Sequence, residues 1–507
     1  MRHHLAFCKP LRLPITILPA LLPTGSRERG RQALGHLMRS KLSKVALLTL
    51  LVALASCDAR LPEQQEAILS AEQSDEVDDF VLAEMKKRHI PGVALGVLRD
   101  GKLIKAKGYG LASMEPDRLV TPETAFVLTS LTKQFTAAGI MLLVQDGRLG
   151  LDDRISKYLA EVPDSWSAIT VKHLLTHTSG LTTRLWYGTE EERWSVFNEP
   201  PDFEPGERWE YSDLGYVLLG VIIEKVSGKP YREFLADRIF VPLDMTATAT
   251  VGNYATRYRL RDGELRRRKG SWPPAEGGII SNVVDLAKWE AALLAETILE
   301  RSSLDQMWTP MQLNDGSYHG YGFGWHLGDV RGHRTIRHGG GAGHYYFRLP
   351  DEKLTVIVLT NLDMVDGSSP LTIARGIARR YAPDVWPSLS TLTVEPDKDP
   401  QLTEKIREVL RHVVSGVADS PYLTPEFNAA LHPNRRIHIV PKWFTEQDMS
   451  SVTFIACEET GEREIARRGA RVVRICHYRL VHPVETRYFS AFLTADGQVA
   501  TLESSTE

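Results

Sequence analysis

Polar and apolar positions change rhythm several times along the chain. Val77, Phe80, Val81, Leu82 and Met85 recur at helical spacing, which predicts a helix over 77–89 closed by Pro91-Gly92. Two apolar runs, Val93 to Leu98 and Leu103 to Ala106, flank Asp100-Gly101, a pair that tolerates left-handed backbone; they predict a hairpin. Thr129 to Gln145 carries a strong helical pattern, with Gly147 just past its end. Residues 150–245 read as helical and loop-rich with many aromatic side chains. Tyr258 to Arg267 predicts a second hairpin around Asp262-Gly263. Strand patterns return at 318–327, 333–337, 344–349 and 354–360, the last two joined through Pro350-Asp351-Glu352. The chain thus predicts a sheet built from both ends of this region, with helical material inserted between.

The two ends of the chain read differently. Residues 383–400 are rich in Pro, Ser and Asp, a linker composition. Residues 401–507 predict a small α+β accessory domain: a helix from Leu402 to Val414, then strands near 436–440, 452–457, 470–480, 485–493 and 497–502. At the other end, a short basic stretch at Met38–Lys44 precedes an almost wholly apolar run, Val45 to Ala55. That run is too short to span a bilayer and reads as an export signal. Its end, Leu54-Ala55-Ser56-Cys57, resembles the lipobox of bacterial lipoproteins, which implies cleavage before Cys57 and acylation of its thiol. Residues 1–57 are then an upstream extension plus signal, 58–75 a tether, and 76–382 the main domain. The location so implied is the periplasmic side of the bacterial envelope, held to the membrane by lipid.

Composition narrows the function classes without naming one. Of 507 residues, 43% are apolar and 25% charged, which excludes wholesale disorder and a multi-span membrane protein. Lys and Arg number 61 against 64 Asp and Glu, a net charge of −3, which gives no bulk electrostatic attraction for nucleic acid. Besides Cys8 and Cys57 the only thiols are Cys457 and Cys476, both on expected strands; an oxidising envelope permits their pairing.

The chemistry centres on Ser130-Leu131-Thr132-Lys133. A spacing of three at a helix start puts hydroxyl and amine on one face. A serine hydroxyl becomes a nucleophile when a neighbouring base takes its proton, and a lysine does this when its surroundings lower its pKa. The pattern is common by chance, so its companions matter. Tyr211-Ser212-Asp213 precedes an apolar helix, and His338-Gly339-Gly340-Gly341 lies between two strands. In this order the three segments resemble the serine β-lactamase and penicillin-binding protein superfamily, including its class C-like esterases. His173 to Leu181 (HLLTHTSGL), Gly277 to Ser281 followed by Asp285-Leu286-Ala287, and Tyr321 to Trp325 (YGFGW) resemble further segments of that family.

The resemblance covers roughly residues 75–380. It implies an α+β fold, an antiparallel sheet flanked by helices with a helical inserted region. It also implies a cofactor-free serine hydrolase that forms an acyl-enzyme. Ser130 is the implied nucleophile; Lys133 and Tyr211 share the acid and base work. The N–H groups of Ser130 and Gly341 form the oxyanion hole, and Gly340 and His338 border the pocket. Substrates in view are small esters, amides or D-amino-acid peptides. The rivals are a β-lactamase, a DD-carboxypeptidase, a slow penicilloyl-binding sensor, and an adaptor acting through residues 401–507.

Two positions depart from the family pattern. Asp213 stands where Asn is usual, and a carboxylate cannot donate to a substrate carbonyl. It either caps the helix that follows or pairs with Lys133, which would keep the amine charged and shift the base role toward Tyr211. His338 stands for Lys and is expected to be only partly charged near neutral pH. Both changes favour esters or other amides over β-lactams. Elsewhere, His173 and His177 are four apart, but Leu174, Leu175 and Thr176 stand between them and a structural role is expected. His319, His326, His333, His338 and His344 form no recognisable metal-ligand set. Arg257, Arg259, Arg261, Arg266, Arg267, Arg268 and Lys269 read as the solvated face of a hairpin, and Tyr187 and Trp194 as candidates for lining the cleft.

Overall fold

The computed structural model describes residues 75–507 except 161, 182–198, 269, 271, 364–369, 386–388, 416–419, 431–445, 461–464, 468–469, 482–485 and 505–507. The lipobox Cys57, the aromatic pair Tyr187 and Trp194, Lys269 and the strand expected at 436–440 lie outside the described residues.

Helix α1 (Glu76–Arg88) starts at Asp75, whose carboxylate accepts the N–H groups of Val77 and Asp78, and stops at His89 in the left-handed conformation. The left-handed cap, two residues before the proline, ends it. Strands β1 (Gly92–Arg99) and β2 (Lys102–Met114) turn through Asp100 and Gly101 at φ 51° and 73°, the double left-handed geometry that such a pair permits. Strand β3 (Asp117–Leu119) follows. The expected helix from Thr129 is in fact two elements: a 3₁₀ turn (Thr129–Thr132) that runs directly into α2 (Lys133–Gln145). Further on come α3 (Val171–Leu175), α4 (Asp213–Ser227) and the hairpin β4 (Tyr258–Arg261) with β5 (Glu264–Arg267). Short α5 (Pro274–Gly277) and α6 (Val283–Leu294) complete the helical layer.

The sheet finishes with β6 (His326–Val330), β7 (His333–Gly340), β8 (His344–Leu349) and β9 (Leu354–Thr360), and α7 (Leu371–Tyr381) returns over it. The run expected as one strand at 318–327 is broken: Tyr318–His319 pairs elsewhere, and the sheet strand begins only at His326. Strand order is β6-β7-β8-β9-β1-β2-β3, antiparallel throughout, so the first strand lies beside the last. Alternation along the strands separates two cores. Ala94, Leu98, Ile357 and Leu359 face the helices with Phe135 and Trp289. Val93, Leu95, Val97, Val356 and Val358 face α1 and α7. Helix α2 is buried along nearly its whole length and lies at the centre of the helical layer, as an all-round apolar helix must. Its first residue is Lys133, so an ammonium begins a helix that is otherwise buried almost to its end.

Beyond the Pro-rich stretch, α8 (Pro400–Ser415) packs Leu402, Ile406, Val409 and Leu410 against a separate antiparallel sheet. That sheet has the order β10 (Val452–Glu459), β11 (Arg474–Val481), β12 (Thr486–Leu493), β13 (Val499–Ser504). The strand expected over 470–480 is split into Ala470–Val472 and β11. Cys457 and Cys476 sit opposite each other on β10 and β11, their Cα atoms 4.1 Å apart, and are joined by a disulfide. The basic hairpin is only partly a solvated face. Arg257 is buried and grips Asp363 at 2.7 Å, and Arg268 reaches the same carboxylate at 2.9 Å.

Candidate active site

Thr129 sits at φ 48°, a left-handed conformation that a β-branched residue adopts only under constraint from its surroundings. It turns the chain sharply, and Ser130 follows on the 3₁₀ turn. In a 3₁₀ helix side chains three apart eclipse. Lys133 is therefore carried directly alongside Ser130, and its Nζ lies 3.4 Å from Ser130 Oγ. Ser130 is half-buried and Lys133 fully buried.

The ammonium is surrounded by oxygen. Nζ donates to Asp213 Oδ1 at 2.6 Å and to the Glu276 carbonyl at 3.0 Å, with Glu276 Oε2 at 3.6 Å. The Tyr211 ring centroid is 4.9 Å away. Burial alone would lower the lysine pKa, but Asp213, Tyr211 and Glu276 outweigh it and hold the amine well above its usual range. Of the two states considered for Lys133, the geometry selects the charged one. Burial pushes the Tyr211 phenol up to about 12, although the nearby ammonium and Ser130 pull it the other way.

Asp213 is not the helix cap. Ser212 caps α4, its hydroxyl accepting from Gly215 N–H, and Asp213 is the first helical residue, free to aim its carboxylate at Lys133. His177 lies just beyond α3, at φ 58°, and so shares no helix face with His173. Its Nδ1 accepts the Ser212 N–H at 3.1 Å, and its ring packs 4.2 Å from that of Tyr211 and 4.7 Å from that of Tyr321. Burial keeps this imidazole neutral. It fixes the loop that presents Tyr211 and Asp213, which is the structural role expected of it.

His338 on β7 is also neutral rather than partly charged. Burial, followed by the Lys133 charge, lowers its pKa to about 4. Both ring nitrogens are engaged: Nδ1 lies 2.7 Å from the Gly339 carbonyl, and Nε2 lies 3.0 Å from the Tyr321 hydroxyl. Gly340 brings β7 against the nucleophile turn, since a Cβ there would meet Thr129 Oγ1 at 2.6 Å and the Leu128 carbonyl at 2.7 Å. Beside Gly341 there is open space. Ser130, Lys133, Tyr211 and Asp213 are thus gathered on one side, with the β7 edge of His338 and Gly340 packed against the turn that bears Ser130.

Three contributors escaped the sequence reading. Tyr321, seen only as part of a family segment, holds His338. Gly324, at φ 77°, lets that segment lie on the backbone of Lys133, where a Cβ would be 2.8 Å from the carbonyl oxygen. Glu276 precedes the Gly277-Gly278 pair and carries no signal by spacing; only folding brings its carboxyl to Lys133. Among the described residues, no three His, Cys, Asp or Glu side chains group closely enough to hold a metal ion.

The Beta-lactamase family model matches residues 77–374. The "Penicillin-binding protein 4*" of Bacillus subtilis is 31% identical over 314 residues, 54% of this chain and 69% of that protein. "Protein flp" of Staphylococcus aureus is 25% identical over 325 residues, 58% of this chain and 64% of that protein. Among solved structures, an octameric penicillin-binding protein homologue from Pyrococcus abyssi aligns with a TM-score of 0.55 at 24% identity, covering 84% of this chain and 94% of its own. EstCE1, described as a hydrolase with promiscuous acyltransferase activity, aligns with a TM-score of 0.51 at 23% identity, covering 59% of this chain and 97% of its own. At these identities the two structures share the fold.

Proposed function

We propose, from the premise that this chain belongs to the Beta-lactamase family of serine hydrolases, that it cleaves uncharged esters or neutral amides through an acyl-enzyme on Ser130. One observation carries the substrate class. Among the described residues at the site, no cation is left over for a substrate carboxylate: Lys133 is matched by Asp213 at 2.6 Å, and His338 is neutral with both ring nitrogens engaged. A β-lactam or a peptidoglycan stem brings a carboxylate, and desolvating it here without a partner is unfavourable. An uncharged acyl group meets no such cost.

In this reading Ser130 Oγ attacks the carbonyl carbon. Lys133 takes part in moving the hydroxyl proton, and Tyr211, a neutral phenol, donates toward the leaving group. The N–H groups of Ser130 and Gly341 stabilise the developing oxyanion. A panel of p-nitrophenyl esters, nitrocefin and D-alanyl peptides tests it: ester turnover with neither of the others is expected, and nitrocefin turnover at a comparable rate would reject the substrate class. Asp213→Asn converts an acceptor into a donor of amide geometry, so the amide-to-ester ratio of kcat/KM should rise by about tenfold. An unchanged ratio would remove Asp213 from substrate choice.

A second reading, the penicilloyl sensor, has one observation in its favour. The lysine is held charged and the phenol protonated, which leaves no free base at neutral pH to activate water for deacylation. A stable label from fluorescent penicillin would favour it, whereas label from a fluorophosphonate alone favours the esterase. For location, the Leu54-Ala55-Ser56-Cys57 sequence supports a lipid-held envelope protein. Cys57→Ala should then shift the protein from the membrane fraction to a soluble or unprocessed form; normal membrane recovery rejects the anchor.

A further inference from the structure

Lys133 bridges two groups: Ser130 Oγ at 3.4 Å on one side and Glu276 Oε2 at 3.6 Å on the other. Glu276 is 2% exposed, and its second oxygen, Oε1, has no hydrogen-bond partner. An under-satisfied carboxyl at such depth is expensive to keep unless it has a task. Asp213 already supplies the ammonium with a counter-charge from a position that keeps some contact with water. The second carboxyl is therefore not needed to hold the lysine in place.

We propose that Glu276 is a positioning residue for acylation: its carboxylate, reached through Lys133, takes up the proton that leaves Ser130. The inference rests on the reading of Ser130 as nucleophile. The steps balance. Nζ first gives one of its protons to Glu276 Oε2 and, as the neutral amine so formed, accepts the Ser130 proton as Oγ bonds the acyl carbon. The lysine is an ammonium before and after the step, and the buried site gains a neutral carboxylic acid instead of a second positive charge. On collapse of the tetrahedral adduct Tyr211 donates to the leaving oxygen or nitrogen, Lys133 reprotonates Tyr211, and Glu276 returns its proton to Lys133.

This route resolves the difficulty that Lys133 is held charged and so cannot act as a simple base. Short helix α5, which carries Glu276, packs on α2, α4, the Thr129–Thr132 turn and the helix at Tyr231–Leu235. Lys133, Asp213 and Tyr231 are the titratable groups that face the carboxyl from these elements, and the turn supplies none. Arg232 and Glu233, beside Tyr231, are exposed. Burial raises the Glu276 pKa to about 8, opposed by Lys133 and reinforced by Asp213. A proton acceptor is most effective when its pKa is near the working pH. The sign follows: below about 8 Glu276 already holds a proton and the relay is blocked, and above it the carboxylate is ready to accept.

The test is the rate of Ser130 labelling by a fluorophosphonate from pH 6 to 10, in the full-length protein and in Glu276→Gln and Glu276→Asp. The unmodified protein should label faster as pH rises through about 8. Glu276→Gln, which keeps shape but cannot accept a proton, should lose that rise and be on the order of tenfold slower at pH 9. Glu276→Asp should restore the rise with a displaced midpoint. Should neither variant fold, infrared spectroscopy of the unmodified protein decides: one buried carboxylic-acid band should vanish on raising pH through about 8, and its persistence or absence at both ends overturns the proposal. Labelling of Glu276→Gln with the same rise and midpoint as the unmodified protein overturns this inference alone. No labelling of the unmodified protein at any pH overturns the nucleophile reading and this inference together.

Discussion

Ser130→Ala should reduce ester hydrolysis to the uncatalysed background, a loss of about 10⁴-fold or more in kcat/KM, while the melting temperature stays nearly unchanged. Both halves follow from the geometry. The hydroxyl is the only group on the 3₁₀ turn placed beside Lys133, and its contact with Nζ is long, 3.4 Å. An ammonium with closer partners at 2.6 and 3.0 Å loses little when that contact goes. The half-buried methyl that replaces it leaves no cavity of consequence, so the change in stability should stay within about 0.5 kcal/mol. Thermal denaturation and a fluorophosphonate label on the same preparations separate the two effects. Residual turnover well above background, with folding intact, would remove Ser130 from the role of nucleophile. A large fall in melting temperature would instead mean that the hydroxyl holds the turn together.

The parts of this molecule that were legible in advance are those that local chemistry decides. Asp100-Gly101 and Asp262-Gly263 announce their hairpins because few other dipeptides accept two left-handed residues in succession, and the strands at 344–349 and 354–360 follow from runs rich in aromatic and β-branched residues. The failures share a different cause. Nothing in Thr129 announces φ 48°, since the residue is disfavoured there and its surroundings, the close approach of β7 at Gly340 among them, are tertiary. A helical reading across 129–145 was therefore right about the α-helix and wrong about the turn that sets the Ser130–Lys133 geometry. His338 was expected to be partly charged from its chemistry alone, yet Tyr321 and burial decide otherwise, and the pairing with Tyr321 is tertiary. Glu276 is the clearest case. Its spacing to Lys133 in the chain is large, its neighbours are Ala and Gly, and only the packing of α5 on α2 makes it part of the site. Charge state, more than position, is what the linear pattern withheld.

Lys133→Ala should approach Ser130→Ala in lost activity and part from it in stability. Turnover should fall by about 10³-fold or more, because Tyr211, the other described side chain beside Ser130, has its own proton held by burial and is a poor substitute for the amine. The contrast lies in folding. Removing the ammonium leaves Asp213 without its partner at 2.6 Å and leaves two carboxyls beside each other in a site where Glu276 is buried. Stranding one member of a buried ion pair costs about 3–5 kcal/mol; Asp213 retains some water, so the low end, about 3 kcal/mol, is expected. The pH dependence has a definite sign. Asp213, Tyr211 and Glu276 hold the lysine pKa above its ordinary value near 10.5, so its contribution is complete at any lower pH and is lost only far into alkali. Near neutrality the whole deficit should therefore be visible. Urea denaturation of both variants at pH 5 and pH 8 measures it. A Lys133→Ala protein as stable as Ser130→Ala at pH 8 would mean that the ammonium and its carboxylates contribute nothing net to folding, and that the cluster is retained for catalysis alone.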